Sequence, residues 1–488
     1  MTWPSLRVRS INRSPLRPDG EFVLYWMVAT RRRCDNFALE HAVSLARELD
    51  KPLLVFEALR VDYPHASDRL HRFVLDGMAQ NERDFGRAPV TYYPYVEPEP
   101  GHGRGLIEAL GARAAVVVSD DFPCFFLPHM HAAAAAKLPV RLDLVDSNGL
   151  VPLRAAPKAF SRAFDFRRWL QRELAAHLHE PPAPDPLLRS KLRPLPGVPR
   201  AIARRWPRAS AEMLAADTRA LSRLPIDHGV PPAPRRGGSK VALHRAEAFV
   251  ASQLDDYAEA RQHPDRHGCS ELSPYLHFGH LSPHRILALV AAHEDWSPDD
   301  FGPQRRGQKE RFWQMRPGAE AYLEELVVWR ELSYNFCAFR RDYDRYSSLP
   351  EWSRATLKKH RPDRRAEVYT LERLERAETG DELWNAAQRE LVATGGIHGY
   401  LRMLWGKKVI EWSRSPEEAL KRLIHLNDRY ALDGRDPNSY SGILWCFGRY
   451  DRAWGPERPI FGTVRYMSSE SARRKLELSE YLERFSGR

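Results

Sequence analysis

Between residues 21 and about 147, short and nearly continuous apolar runs alternate with segments whose apolar residues recur at helical spacing. FVLYWM at 22–27, PLLVFEAL, PVTYYPYV, AAVVVSD and PVRLDLVDS read as buried strands. NFALEHAVSLARELD at 36–50 reads as a helix, with further helical segments near 68–85, 105–113 and 128–136. Strands that are apolar on both faces need cover on both faces, and helical crossovers supply it. The pattern therefore predicts a doubly wound parallel sheet of five strands, an α/β domain. No GxGxxG follows the first strand, which argues against an ordinary dinucleotide site there. A ligand of this sheet would lie at the carboxyl ends of its strands, around 27–35 and 119–126.

The pattern breaks from about 180 to 237. PPAPDPLLRSKLRPLPGVP and LPIDHGVPPAPRRGGSK are rich in proline, with a short helical segment around 208–222, and read as a surface connector. After 238 the helical period takes over, most clearly in VALHRAEAFVASQLDDYAEA, SPHRILALVAAHE, AEAYLEELVVWRELSYNFCAFR, DELWNAAQRELVATG and SPEEALKRLIHLNDRYALD. The expected organisation is an α/β domain over 1–180, a linker over 181–237 and a mostly α-helical domain over 238–488. A chain of 488 residues can build both cores.

Composition narrows the function classes. No run of 18 apolar residues occurs, so no membrane span is expected. The N-terminal MTWPSLRVRSINRSPLRPDG lacks the apolar centre of a signal peptide. Cys34, Cys124, Cys269, Cys337 and Cys446 form no CxxC pair, which suits reduced thiols in a cytoplasmic protein rather than disulfides or a zinc site. Lys+Arg 75 against Asp+Glu 64 gives a net charge of +11, a balance suited to a polyanion such as nucleic acid. His277, His280 and His284 are spaced suggestively, yet no metal site is expected.

The chemistry gathers near the C-terminus. Trp384, Trp405, Trp412, Trp445 and Trp454 are five of the chain's 13 tryptophans. Arg402, Asn427, Asp433, Arg435 and Asp436 sit among apolar turns nearby, and charged residues are seldom buried there unless paired or holding a ligand. Trp405 and Trp412, seven apart, share one face of a helix. Upstream, CSELSPYLHFG can present hydroxyls and helix N-terminal amides to a phosphate, with Pro274 early in the helix.

Taken together, SELSPYLHFGHLSP (270–283), EELVVWRELSYNFC (324–337), the Trp384–Trp405–Trp412 spacing, LNDRYALDGRDPN (426–438) and FGTVRYM (461–467) resemble the cryptochrome/photolyase family, specifically the class II cyclobutane pyrimidine dimer photolyases. The N-terminal domain is similar in architecture to the family's antenna domain. VATRRRC and SDDFPCFF depart from the family pattern, so a second antenna chromophore, of deazaflavin or folate type, stays open. The resemblance implies FAD in the helical domain, fully reduced when active. It implies FAD contacts for Tyr257, Ser270, Leu272 and Ser273, with Cys269 where many relatives have Thr. Arg402 and Asp433 would pair beside the isoalloxazine ring, Asn427 would face its N5, and Asp436 would complete the cofactor set. Glu325, Trp329, Met403 and Trp445 would line a pocket for a flipped-out dimer, with Arg261 and Arg465 on flanking phosphates. Trp405, Trp384 and Trp412 would pass electrons to the flavin, in an order that the sequence leaves open. The implied protein is a cytoplasmic monomer, nucleoid-associated in a bacterium, that repairs UV-damaged DNA under light. A cryptochrome-like photoreceptor and a 6-4 photoproduct photolyase are the alternatives, the latter asking for histidines such as His398 or His425 at the lesion.

Overall fold

The structure is a computed structural model that describes residues 6–487. The first five positions of the N-terminal segment read above, and the last residue of the helical domain drawn above, lie outside the described residues. Contacts gather the chain into two units that interleave along the sequence. One comprises Met1–Pro157, Leu174–Glu247 and Leu272–Leu289; the other comprises Lys158–Glu173, Ala248–Glu271 and Val290–Arg488.

The first unit holds a six-stranded sheet: β1 (Val8–Ser10), β2 (Phe22–Met27), β3 (Leu53–Leu59), β4 (Thr91–Val96), β5 (Ala114–Asp120) and β6 (Leu142–Val145), in the order β1-β6-β5-β2-β3-β4. β2 to β6 are the five expected strands, paired in parallel. β1 is the addition, a three-residue antiparallel strand on β6. Its half-polar VRS carries no apolar run, as befits a short edge strand. Alternation along β2 sends Phe22, Leu24 and Trp26 into one core and Val23, Tyr25 and Met27 into the other, so helices are needed on both faces. The proline-rich stretch contributes the short helices Arg200–Arg205, Ala211–Ala215 and Thr218–Leu221 to this unit. Trp206, buried in the core of one sheet face, donates its indole N–H to the carbonyl of His102 at 2.8 Å.

Strand order reverses between β2 and β5, the place where such sheets take ligands. Here the Asp120 carboxylate accepts the backbone N–H groups of Val28, Ala29 and Thr30 at 2.8, 2.8 and 2.9 Å, and the Tyr25 hydroxyl at 2.8 Å. The amides that could hold a ligand's anion at the switch point are held by the chain's own carboxylate.

The second unit is helical. The long helix expected around 319–340 is instead three pieces: Pro317–Leu323, a π-helical turn Glu324–Trp329, and Arg330–Phe339. A π turn inserts a residue without breaking apolar periodicity enough to show in the sequence, and such turns favour functional sites. Further helices are Glu382–Thr394, Gly399–Glu411, Pro416–Tyr430 and Pro437–Cys446. Their ends follow capping chemistry: Asp381 accepts the Trp384 N–H at 3.1 Å, Ser415 accepts the Glu418 N–H at 3.1 Å, and Gly395 takes a left-handed φ of 76° at a C-terminus. Among the described residues no helix is long and apolar enough to cross a membrane.

Candidate functional site

The π turn sets Glu325 and Trp329 four residues apart, with Leu326, Val327 and Val328 buried behind them. Glu325 pairs with the guanidinium of Arg261, which also lies 5.5 Å from the centre of the Tyr257 ring. About 41% of the Glu325 side chain stays open, yet its carboxyl lies in a recess whose desolvation raises its pKa, with Arg261 pulling the other way. The two residues were assigned separate roles above; the structure couples them. Trp329 stacks on Trp445 with ring centres 4.4 Å apart and planes at 20°. They form one two-ring platform rather than walls facing across a gap. The Trp445 Nε1 is buried without a hydrogen-bond partner among the described residues. Met403 packs against Cys446, the residue after Trp445, with its sulfur 3.9 Å from the Cys446 Sγ. The close approach of the two helices depends on Gly406, where an added Cβ would lie 2.5 Å from the same Sγ.

Arg402, next to Met403, reaches Asp433 Oδ2 at 3.3 and 3.4 Å. Asp433 is buried and its other oxygen, Oδ1, has no partner among the described residues. Asn427, also buried, donates its amide to Asp428 Oδ1 at 3.2 Å. Asp428 further accepts the Arg435 N–H at 2.9 Å, and burial raises its pKa. Asp436 is an N-cap: its Oδ1 accepts from Asn438 N–H at 2.8 Å and its Oδ2 from the Tyr334 hydroxyl at 3.1 Å. Gly434 lets the 431–436 loop fold against Asn427, whose carbonyl oxygen would lie 2.8 Å from any added Cβ.

Trp405, Trp384 and Trp412 are all buried and in sequence of contact. Trp384 is central: its ring is nearly parallel to Trp405 with centres 6.5 Å apart, and edge-on to Trp412 at 5.4 Å. Trp384 donates its N–H to the carbonyl of Trp405 at 3.0 Å, and Trp405 donates to Gln388 Oε1 at 2.9 Å. Arg402 and Trp405 are one turn apart on the same helix, so the row of rings begins beside the Arg402–Asp433 pair.

Tyr257 packs edge-on against Tyr322 at 5.2 Å, and the Tyr322 hydroxyl bonds Ser270. Burial pushes the Cys269 thiol up to about 11. Leu272 and Ser273 fall in the sheet-bearing unit, Leu272 buried and Ser273 opening the short helix Ser273–His277. Arg465 is exposed, 5.4 Å from the ring centre of Trp454, which Arg452 flanks at 5.0 Å. His425 binds Glu375 at 2.9 Å, a carboxylate that Arg429 also holds at 2.7 Å. His398 is held neutral by burial, with its pKa lowered to about 4.

Three residues escaped the sequence reading. Tyr450 lies 6.4 Å from both rings of the Trp329–Trp445 platform. Arg167 reaches Glu324 from a distant part of the chain. Lys407 is fully buried and donates to the carbonyl of Cys446 at 2.6 Å. For Arg167 and Lys407 no local pattern marks them, because each acts through a partner far along the chain. Tyr450 is set against Trp445 by the turn after the Pro437–Cys446 helix, which the sequence reading did not place.

No family model matches the chain. It is 36% identical over 482 residues to the deoxyribodipyrimidine photo-lyase of Methanothermobacter thermautotrophicus, covering 99% of this chain and 98% of the relative. The enzymes of the same name from Oryza sativa and Potorous tridactylus are 33% and 31% identical, each over 98% of this chain and over 89% and 84% of their own lengths. Among solved structures, a class III photolyase from Agrobacterium tumefaciens superposes with a TM-score of 0.65 at 16% identity, covering 98% of this chain and 88% of that one. A photolyase from Sulfolobus tokodaii described with two FAD molecules gives 0.63 at 12%, covering 95% and 90%. These likenesses bear on the fold, and the full-length identity to the named enzymes carries the assignment: the chain belongs to the DNA photolyase/cryptochrome family.

Proposed function

We propose that this chain is a light-driven DNA repair enzyme of the class II type, which splits cyclobutane pyrimidine dimers with the help of bound, reduced FAD. The observation that carries the reading is the Trp329–Trp445 platform, with a buried and unpartnered indole N–H and the Glu325 carboxyl on the adjoining turn. A flat apolar surface with hydrogen-bonding groups at its edge suits a base pair taken out of the duplex stack.

The chain's own groups fit the cofactor. Arg402 and Asp433 would hold the flavin ring, with the free Asp433 Oδ1 supplying an acceptor and the guanidinium balancing a reduced, anionic ring. Asn427 would meet the ring edge, where an amide can donate or accept. Within the helical unit, Tyr257 and Ser270 would contact the FAD phosphates and ring. When bound, FAD supplies the light-absorbing electron donor. Trp329, Trp445 and Met403 orient the lesion, and Glu325 in its protonated form donates a hydrogen bond to a pyrimidine carbonyl as it gains negative charge. Arg261 holds Glu325 in place until substrate arrives, and Arg465 contacts a phosphate. Trp412, Trp384 and Trp405 form the route along which the resting enzyme is refilled with electrons. An anionic antenna chromophore at the β2/β5 switch point is disfavoured, because Asp120 already occupies its amides.

Specificity for 6-4 photoproducts would call for a histidine at the lesion. His425 is committed to Glu375, while His398 is held neutral by burial with neither ring nitrogen partnered among the described residues, so the substrate comparison decides between the two specificities. The deciding experiment is the loss of dimers from a UV-irradiated oligonucleotide under blue light, with a 6-4 substrate and a dark control alongside. Repair of the 6-4 substrate alone, or equal loss in the dark, would overturn the reading.

A further inference from the structure

Residues 302–312 form a closed loop that the site described above does not use. Its base is tied by the Gly302 N–H to the carbonyl of Phe312 at 2.9 Å. Beneath it Trp296, Phe301, Phe312 and Trp313 pack with ring centres 4.7–5.5 Å apart. Arg305 lies over Phe301 and Phe312 at 5.5 and 5.2 Å, so its charge is spent on the loop's own floor. The tip is clamped by one buried amide: Gln171 accepts the Gly307 N–H and donates to the carbonyl of Gln308, both at 2.8 Å. Gly307 has a φ of +85°, and an added Cβ would meet Phe164 and Arg168 at 3.1 and 3.2 Å, so a side chain is excluded twice over.

A loop built this firmly presents Arg306, Lys309 and Arg311 to solvent, and the helix under its tip presents Phe164, Arg168 and Arg172 at four-residue intervals along one stripe. None of these five cations has an ion-pair partner among the described residues. The loop is also wired to the lesion turn. Arg167 donates to the carbonyl of Gly307 at 3.4 Å and binds the carboxylate of Glu324, the neighbour of Glu325. Lys309 is near enough for its charge to favour the Glu325 carboxylate.

We infer that this loop and stripe are a second track for the DNA backbone, gripping phosphates beside the lesion independently of Arg261 and Arg465. Unpaired cations on a rigid loop cost little ordering when they meet phosphates, and they release counterions without reading sequence. An acidic protein segment would answer the same charge, but the direct connection to the Glu325 turn favours the strand that carries the lesion. The inference rests on the DNA-repair reading.

The test is binding of full-length, FAD-loaded protein to a dimer-containing duplex and its undamaged counterpart, by fluorescence polarisation across a salt series. The combined Arg306→Gln, Lys309→Gln and Arg311→Gln variant should bind both DNAs about tenfold or more weakly, with a salt slope smaller by about 2–3. Gly307→Ala, which keeps every charge but displaces the tip, should give a smaller loss of the same kind, with an unchanged flavin spectrum. Wild-type binding matched by the triple variant within twofold, at the same slope, overturns the second track and leaves the repair reading standing. Failure of the wild type to bind either DNA overturns both.

Discussion

Two groups of tryptophan in the helical unit invite comparison. Trp384, Trp405 and Trp412 are buried, and the indole N–H groups of Trp384 and Trp405 are satisfied inside the protein, by a backbone carbonyl and by Gln388. Trp329 and Trp445 are only partly buried, stacked on each other, and the Trp445 N–H is unpartnered. Composition cannot tell the groups apart; hydrogen bonding can. A buried ring whose N–H is satisfied has finished its interactions and can serve as core or as a conduit. A ring whose N–H is shielded from water yet unpaired carries a cost of about 1–3 kcal/mol that a ligand's carbonyl would relieve.

The sharpest way to break this comparison is Trp405→Phe. Light-driven reduction of the bound flavin should fall to background, while protein reduced chemically beforehand should repair dimers nearly as well as wild type. Absorbance under blue light with an external reductant reads the first, and dimer loss reads the second. Rapid photoreduction in the variant would remove the conduit role and leave the row of rings as core.

Trp445→Ala should act on the other group alone. Binding to lesion DNA should weaken by about 1–3 kcal/mol, the scale of losing a base–aromatic stack. Undamaged DNA should bind almost as before, since an unflipped base never reaches the platform. Trp329→Ala should resemble it, and the double variant should lose less than the sum because the rings act as one surface. Equal weakening on both DNAs would mean that the platform is part of the phosphate-gripping surface.

Arg261 and Glu325 test how the platform's edge is tuned. Burial raises the Glu325 pKa and Arg261 restrains it, so Arg261→Ala should move it higher still. The carboxyl would then stay protonated to a higher pH, and the inflection in repair yield per absorbed photon should shift upward. Glu325→Ala should lower that yield several-fold and flatten the profile. Identical pH profiles for wild type and Arg261→Ala would separate the two residues.

These residues also show what a sequence can carry. β2 to β6 were legible because each is an apolar run bounded by turns, whereas β1 was not, being three residues with two polar side chains. The Trp384–Trp405–Trp412 row was visible as a spacing, but its order needed the packing of Glu382–Thr394 against Gly399–Glu411. The π turn was invisible because one inserted residue leaves helical periodicity nearly intact. Arg261 and Glu325 are 64 residues apart, so only the fold could reveal that one restrains the other. Asp436 looked like a cofactor ligand beside Asp433; its hydrogen bonds to Asn438 and Tyr334 supply a capping role that the spacing alone could not distinguish.

The last effect leaves light-driven chemistry and DNA binding untouched and concerns the tie between the two tryptophan groups. Lys407 lies two residues after Trp405 and binds the carbonyl of Cys446, the residue after Trp445 and the last of its helix. The helix C-terminus favours a cation there, but burial wins and lowers the lysine pKa to about 8. The unfolded chain, with a lysine near 10.5, then binds more protons than the folded one between about pH 8 and 10.5. Lys407 therefore makes stability rise with pH across that window, by about 3 kcal/mol at most, and contributes no slope below it. Lys407→Met should remove this share of the slope while changing stability near pH 7 only slightly, since relief of a buried charge offsets the orphaned carbonyl. Other groups titrate in the same window, so the quantity to read is the difference between variant and wild type in denaturant midpoints at pH 7.5 and 10. A difference that stays constant between those pH values would mean that Lys407 keeps its proton in the fold. The two tryptophan groups would then be joined by a full buried charge held on the Cys446 carbonyl.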